Sequence, residues 1–484
     1  MKTINSEYLS THSSSKIRTR NPWRIRSISV VVSLLVWSTI ASAQLDPYAA
    51  NNTLYPPAGE LPNGWNGGFR SSNYDYPTKP VKSSWLPGGP AGIAKAGLTL
   101  DSASAYVDAV KKFIQDDIKG LVNTPLKWSP EQVGWFDMPW GAHGSNLPNG
   151  KINPESGREA LLGSYTGQIL QPNTFKSPQP PVAFQNHAVI YYNDVAASML
   201  GKVWKDPFVP DLSAAQFPEG SIVVKVEAAT LTPKQWPLLE GSTVSYVYRP
   251  TTASLLDPKQ KEKKAEIVPM YFSQMAVKIK DSVASPETGW VFIAFTYDKN
   301  ASGDTVWDKA VPVGAMWGND PEYARIPKGV GDKGLQQTWI SPTAPEFIHQ
   351  TLGWGGRLAG PMDVGRRHNV VTMSGKRYQG DAEFPASSCI SCHSAAQFPF
   401  VANLYPSPNL IFPEDGLAQF LFYDPGSVQW AKWFQNRPGN VAMTGQGREG
   451  IYPIDYDMLL TFALGTADAA AGSDTFLQHR LPGH

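Results

Sequence analysis

Two cysteines stand three residues apart in "SSCISCHS" (387–394), a histidine follows the second directly, and the 484-residue chain holds no other cysteine. Thiols and an imidazole at this spacing suit four kinds of chemistry. A structural zinc site takes four ligands, often two cysteine pairs; with no second pair, Cys389 and Cys392 would have to recruit distant histidines. A thioredoxin-like dithiol uses the same C-x-x-C in a βαβ context, and nothing βαβ-like precedes Cys389. A disulfide across two residues closes a tiny loop and stabilises little. Attachment of c-type haem has C-x-x-C-H as its signature. On one helical turn both thiols reach the two vinyl groups, and His393 is held under the iron as proximal ligand.

The compartment decides among the four. Lys16, Arg18, Arg20, Arg24 and Arg26 form a basic region, "SISVVVSLLVWSTI" (27–40) is a short apolar run, and Ala41-Ser42-Ala43 is an A-x-A cleavage signal before Gln44. Residues 1–43 therefore read as a secretory signal peptide, since the apolar run is shorter than the ~20 residues a membrane span needs. The basic region has no adjacent arginine pair, which points to the general secretory route. In an oxidising compartment two free thiols do not normally persist. Their consumption as thioethers accounts for number, spacing and location together. The sequence thus predicts a periplasmic or secreted protein with one covalent haem c and its iron, and no membrane span after signal cleavage.

A low-spin carrier needs a sixth iron ligand, usually Met or His. Met443 lies in "RPGNVAMTGQGREG", a Gly/Pro-bounded loop that can deliver a thioether, whereas Met458 has the spacing of a core residue. His368 in "VGRRHNVV" is the rival, and with neither the iron is five-coordinate. His143, His187 and His349 read as ordinary surface or core histidines. Arg357 in "GWGGRLAGP" and Arg448 in "GQGREG" are candidates to neutralise haem propionates, because guanidinium forks match carboxylates; structural ion pairs are the competing reading, as for Arg158. There is no nucleophile elbow, P-loop, H-E-x-x-H or EF-hand pattern.

These residues need elements to position them. "SASAYVDAVKKFIQDDIKGLV" (102–122) has the apolar spacing of an amphipathic helix, and 194–204 predicts a shorter one. "SIVVKVEAATL" (221–231), "STVSYVYRP" (242–250), "EIVPMYFSQMAVKIKD" (266–281) and "GWVFIAFTYD" (289–298) are β-branched and aromatic, and predict antiparallel strands. After the attachment motif, 426–437 and 453–466 predict helices. The expected fold class is α+β: a loop-rich region with an antiparallel sheet over 44–374, then an all-α, cytochrome c-like haem domain over 375–484. Cleavage after Ala43 takes six basic and one acidic residue from totals of 42 and 41, leaving a net charge of −4, which suggests no nucleic acid partner. The 42 Gly and 42 Pro make the chain loop-rich, and 16 Trp, 19 Tyr and 20 Phe supply large groups to fix those loops.

The chain resembles a family of bacterial exported mono-haem cytochrome c proteins with a long N-terminal region. The stretches that carry the likeness are "WFDMPW", "SGREALLG", "NHAVIYYND", "FPEGSIVVKVE", "TGWVFIAFTYD", "VPVGAMWGNDP", "GWGGRLAGPMD", "SSCISCH" and "PIDYDMLL". The resemblance implies haem c binding and electron transfer, with His393 proximal. The expected partner is a redox protein or a small electron donor or acceptor. Two other readings stay open: a haem-dependent peroxidase or oxygenase, and a binding module with a haem domain attached.

Overall fold

The computed structural model describes residues 45–472, apart from 63–64, 66–68, 80–84, 145, 148, 364–369, 373, 380–383, 401–402, 405–419, 422 and 444–449. The predicted signal peptide, His368 and Arg448 lie outside the described residues.

Alternating β-branched and aromatic residues build an eight-stranded sheet. Its strands are β1 Tyr165–Leu170, β2 Phe184–Tyr192, β3 Ile222–Ala229, β4 Val244–Arg249, β5 Glu266–Lys280, β6 Trp290–Tyr297, β7 Ala310–Met316 and β8 Thr338–Ile340. The order is β1-β2-β3-β5-β6-β7-β8, and every pairing is antiparallel. Tyr271 of β5 pairs with Ala229 of β3 on one edge and Val244 of β4 on the other. β4 and β6 therefore lie end to end along the same edge of β5.

The period of two sends alternate side chains to opposite faces. One face carries Ile222, Val224 and Val226 of β3, Met275, Val277 and Ile279 of β5, and Val291, Ile293 and Phe295 of β6. Helices Leu100–Phe113 and Gln115–Asn123 cover it with Tyr106, Val107, Val110, Ile118 and Leu121. Thr99 starts the first helix with a capping box to Ser102. The predicted 102–122 helix is thus two helices that break at Ile114.

The opposite face carries Val223 of β3, Tyr192 of β2, and Trp290, Phe292 and Ala294 of β6. It is covered by helix Asp194–Val203 and by the C-terminal part of the chain, through Ile390, Trp430, Phe434, Ile454, Tyr456, Leu460 and Leu464.

Here the expected fold class is corrected. The described chain is a mainly antiparallel β structure with few helices, and the described residues of 375–484 do not form an all-α cytochrome c-like domain. The predicted attachment helix is the single turn Cys389–His393, the predicted 426–437 helix shrinks to Val428–Ala431, and of the three only Met458–Ala470 is long. Gln397–Phe398 and Tyr452–Pro453 form a short antiparallel ribbon instead. The reason is packing. Apolar residues that read as helical stripes sit on the sheet and on loop aromatics, as when Trp430 and Phe434 meet Trp354 at 5.3 and 5.2 Å between ring centres. The described residues from Leu45 onward form one compact unit.

Candidate functional site

Ser388 starts the Cys389–His393 turn: its Oγ accepts from Ser391 N, while Ser391 Oγ accepts from Ser388 N at 2.7 Å. This reciprocal box fixes the first turn. At the other end Arg437 donates to the Ser394 carbonyl at 2.8 Å, placing a cation where the helix dipole is negative. The turn rests on "GWGGRLAGPMD", with Cys389 N donating to Leu358 O at 3.0 Å and Trp354 N to Ala386 O at 2.9 Å. Gly353 is required at this contact, because a Cβ there would lie 2.1 Å from Ser387 O.

Cys389 and Cys392 are half-buried and are not joined to each other. Burial raises the pKa of both thiols and the Asp363 carboxylate adds to it, so that Cys392 is pushed up to about 12. A nucleophilic dithiol of the thioredoxin kind needs the opposite shift. For zinc, no group of three or more His, Cys, Asp or Glu is placed to hold a metal ion among the described residues.

His393 Nδ1 lies 2.8 Å from Tyr456 O, and no other hydrogen-bond partner of the ring is found among the described residues. A carbonyl only accepts, so Nδ1 carries the proton and Nε2 keeps its lone pair. Phe292 of β6 lies against the imidazole, ring centres 5.0 Å apart. Burial, reinforced by the positive charge of Lys278, lowers the His393 pKa to about 4, so the ring is neutral and able to bind a metal.

The Tyr456 carbonyl is itself held in an unusual way. Asp455 and Tyr456 are consecutive non-glycine residues with φ of 42° and 61°, a conformation that costs of order 1–3 kcal/mol per residue. Buried ion pairs to β5 flank them: Lys280 to Asp455 at 2.7 Å and Lys278 to Asp457 at 2.7 Å. Asp455 also accepts from Trp290 Nε1 at 2.7 Å and Phe217 N at 2.8 Å, and the Tyr192 hydroxyl donates to Asp457 at 3.0 Å. The Tyr456 hydroxyl donates to Arg437 O at 2.8 Å. The strap that orients His393 is therefore anchored on both sides and at its own side chain.

A third lysine of the same sheet face, Lys225 of β3, pairs with Asp363 at 2.6 Å and with buried Glu227. Glu227 lies at a β-bulge and also accepts from Asn186, while Gln274 donates to Asp363 at 2.9 Å. Burial, then Asp363, raises the Glu227 pKa to about 7. The Asp363 carboxylate raises the pKa of both thiols, and the Lys225 ammonium opposes it. Sequence reading missed all three lysines. The available signal was charge inside apolar strands: Lys225 in "IVVKVEAA", Lys278 and Lys280 in "MAVKIK".

The remaining candidates are more dispersed. Arg357 is fully buried, and donates to the carbonyls of Asn319 at 2.7 Å, Gly329 at 2.6 Å, Trp354 at 2.8 Å and Asp320 at 3.0 Å. Those four bonds give it a loop-clamping role within the structure. Arg158 pairs with Asp137 at 2.6 Å. Met443 is half-buried on the core that also contains Ile390 and Tyr456, and Met458 belongs to that core. His143 hydrogen-bonds Asp46 O, His349 is exposed, and His187 is buried in the sheet.

These residues fit a covalently attached haem: two unjoined thiols on one turn, and an imidazole whose Nδ1–H is held by a carbonyl. No protein-family model matches the chain, and no curated protein matches it. No helix among the described residues is long and apolar enough to cross a membrane.

Proposed function

We propose that the chain is an exported c-type cytochrome that carries one covalent haem and transfers electrons to or from a redox partner. The proposal includes its likeness to exported mono-haem cytochromes c, cleavage before Gln44, and a periplasmic or secreted location. The observation that carries this reading is the 2.8 Å bond from His393 Nδ1 to Tyr456 O beside two unjoined thiols. That bond fixes the tautomer and aims Nε2 away from the strap, the usual second-shell arrangement of a ligating histidine. When bound, the haem supplies a one-electron couple at iron. The chain's own work is to hold and shield. Cys389 and Cys392 would hold the haem and His393 its iron, while Phe292 packs on the imidazole and the strap keeps the ring from rotating. Met443 is proposed as a further residue that would hold the iron, from its loop and its place on the same core.

The test is coexpression with haem-maturation machinery. Wild-type protein is expected to keep haem colour on a denaturing gel, and Cys389→Ala with Cys392→Ala to lose it. Colour retained in the double variant contradicts the proposal.

A further inference from the structure

Lys278 is buried on the site face of β5, and its Nζ donates both to Tyr456 O at 3.1 Å and to Asp457 Oδ2 at 2.7 Å. The carbonyl that accepts from His393 thus accepts from an ammonium as well. Nζ also stands 4.7 Å from the centre of the Trp290 ring and 5.5 Å from that of Phe217, which fixes its position from two more sides. Packing alone does not call for a charge here. An apolar pair of similar volume in place of a buried salt bridge is often neutral or stabilising.

We infer that Lys278 is a positioning residue that raises the reduction potential of the haem through the Tyr456 carbonyl. The inference rests on the haem c reading above. Two effects act in the same direction. A carbonyl shared between two donors accepts less strongly from the imidazole N–H, and the second donor is a cation. A fixed positive charge near the ligating imidazole would disfavour the extra positive charge of oxidised iron more than the reduced state. The weaker bond to Nδ1–H leaves the imidazole a poorer donor, which again disfavours the oxidised state. Asp457 works in the opposite sense. Its charge is divided among Lys278, the Tyr192 hydroxyl and Leu460 N at 2.7 Å, whereas the ammonium touches the carbonyl itself.

The experiment is spectroelectrochemical titration of the full-length haem-loaded chain and three variants, each checked for haem on a denaturing gel. Lys278→Met is expected to lower the midpoint potential. Asp457→Asn, which keeps the side-chain cap on Leu460, is expected to raise it. The double variant is expected to fall between the two. Should Lys278→Met fail to fold, Asp457→Asn and the charge-neutral double variant still decide: an upward shift in the first, reversed in the second, supports the inference. Haem-loaded variants at the wild-type midpoint overturn the inference alone. Wild-type chain without covalent haem overturns the underlying reading, and the inference with it.

Discussion

The two faces of β3 and β5 come from the same strands, yet they are built from different chemistry. On one face Ile222, Val224, Val226, Met275, Val277 and Ile279 make a continuous apolar surface under two helices. On the other, the alternating positions are Lys225, Glu227, Gln274, Lys278 and Lys280, tied to Asp363, Asp455 and Asp457 of the covering loops. The apolar face needs only volume and is tolerant of its neighbours. The charged face needs partners at defined positions, since a buried charge without one is costly. A sheet that places one such face against the Cys389–His393 turn has a stiff platform for an imidazole, while its other face supplies the stability.

The largest effect is expected from breaking an ion pair on the charged face. Lys280→Met strips the partner from fully buried Asp455 and should cost about 4 kcal/mol, within the range for one-sided loss of a buried pair. It should also reduce the fraction of chain that retains haem, because the strap holding His393 loosens. Denaturant titration and haem staining read the two consequences separately.

An apolar-face change should cost less and leave the site alone. Ile279→Ala, at a fully buried position one residue away, should lose about 3 kcal/mol of stability with undiminished haem loading. If Ile279→Ala impaired loading more than Lys280→Met did, the division of labour between the faces would be wrong.

How much of this was legible in the sequence follows the same division. β3 to β6 were readable because Val, Ile, Phe and Tyr dominate them. β2 was missed because three polar residues, Gln185, Asn186 and His187, follow Phe184 in "FQNHAVIYY", and β7 because "AVPVGAM" contains Pro and Gly. The C-x-x-C-H turn was readable as a local pattern, with its cap visible in Ser388 and Ser391. The partner of His393 was not, since Tyr456 is 63 residues away and offers only a main-chain oxygen. The helical reading of 426–437 failed because Trp430, Trp433 and Phe434 also suit a loop packed on Trp354 and the core. Periodicity records that residues are buried, and does not record what buries them.

His187 is an exception on the apolar face, and it sharpens the comparison through pH. The ring is 1% exposed, lies across from Thr166 in the β1–β2 pairing, and burial with the Arg249 charge lowers its pKa to about 3. The unfolded chain therefore takes up a proton below about pH 6.5 that the folded chain refuses. The stability contributed by this group is complete above that pH and falls as pH drops toward about 3. Buried Glu155, whose pKa burial raises to about 7, acts in the opposite sense: its contribution is present at low pH and lost as pH rises through about 7. The histidine is isolated by difference. Between pH 7 and pH 5 wild type should lose about 2 kcal/mol relative to His187→Gln, with no change in the site. A pH-independent difference would show that His187 is not held neutral.

The central claim, that the Cys389–His393 turn is a haem attachment site presented by a charged sheet face, is tested most directly by peptide mass mapping of exported protein made with haem-maturation machinery. The account predicts one haem on the peptide that spans Cys389 to His393, bonded through both cysteines and refractory to thiol alkylation, with the mature chain starting near Gln44. Recovery of that peptide without haem, both cysteines fully alkylated, would contradict it.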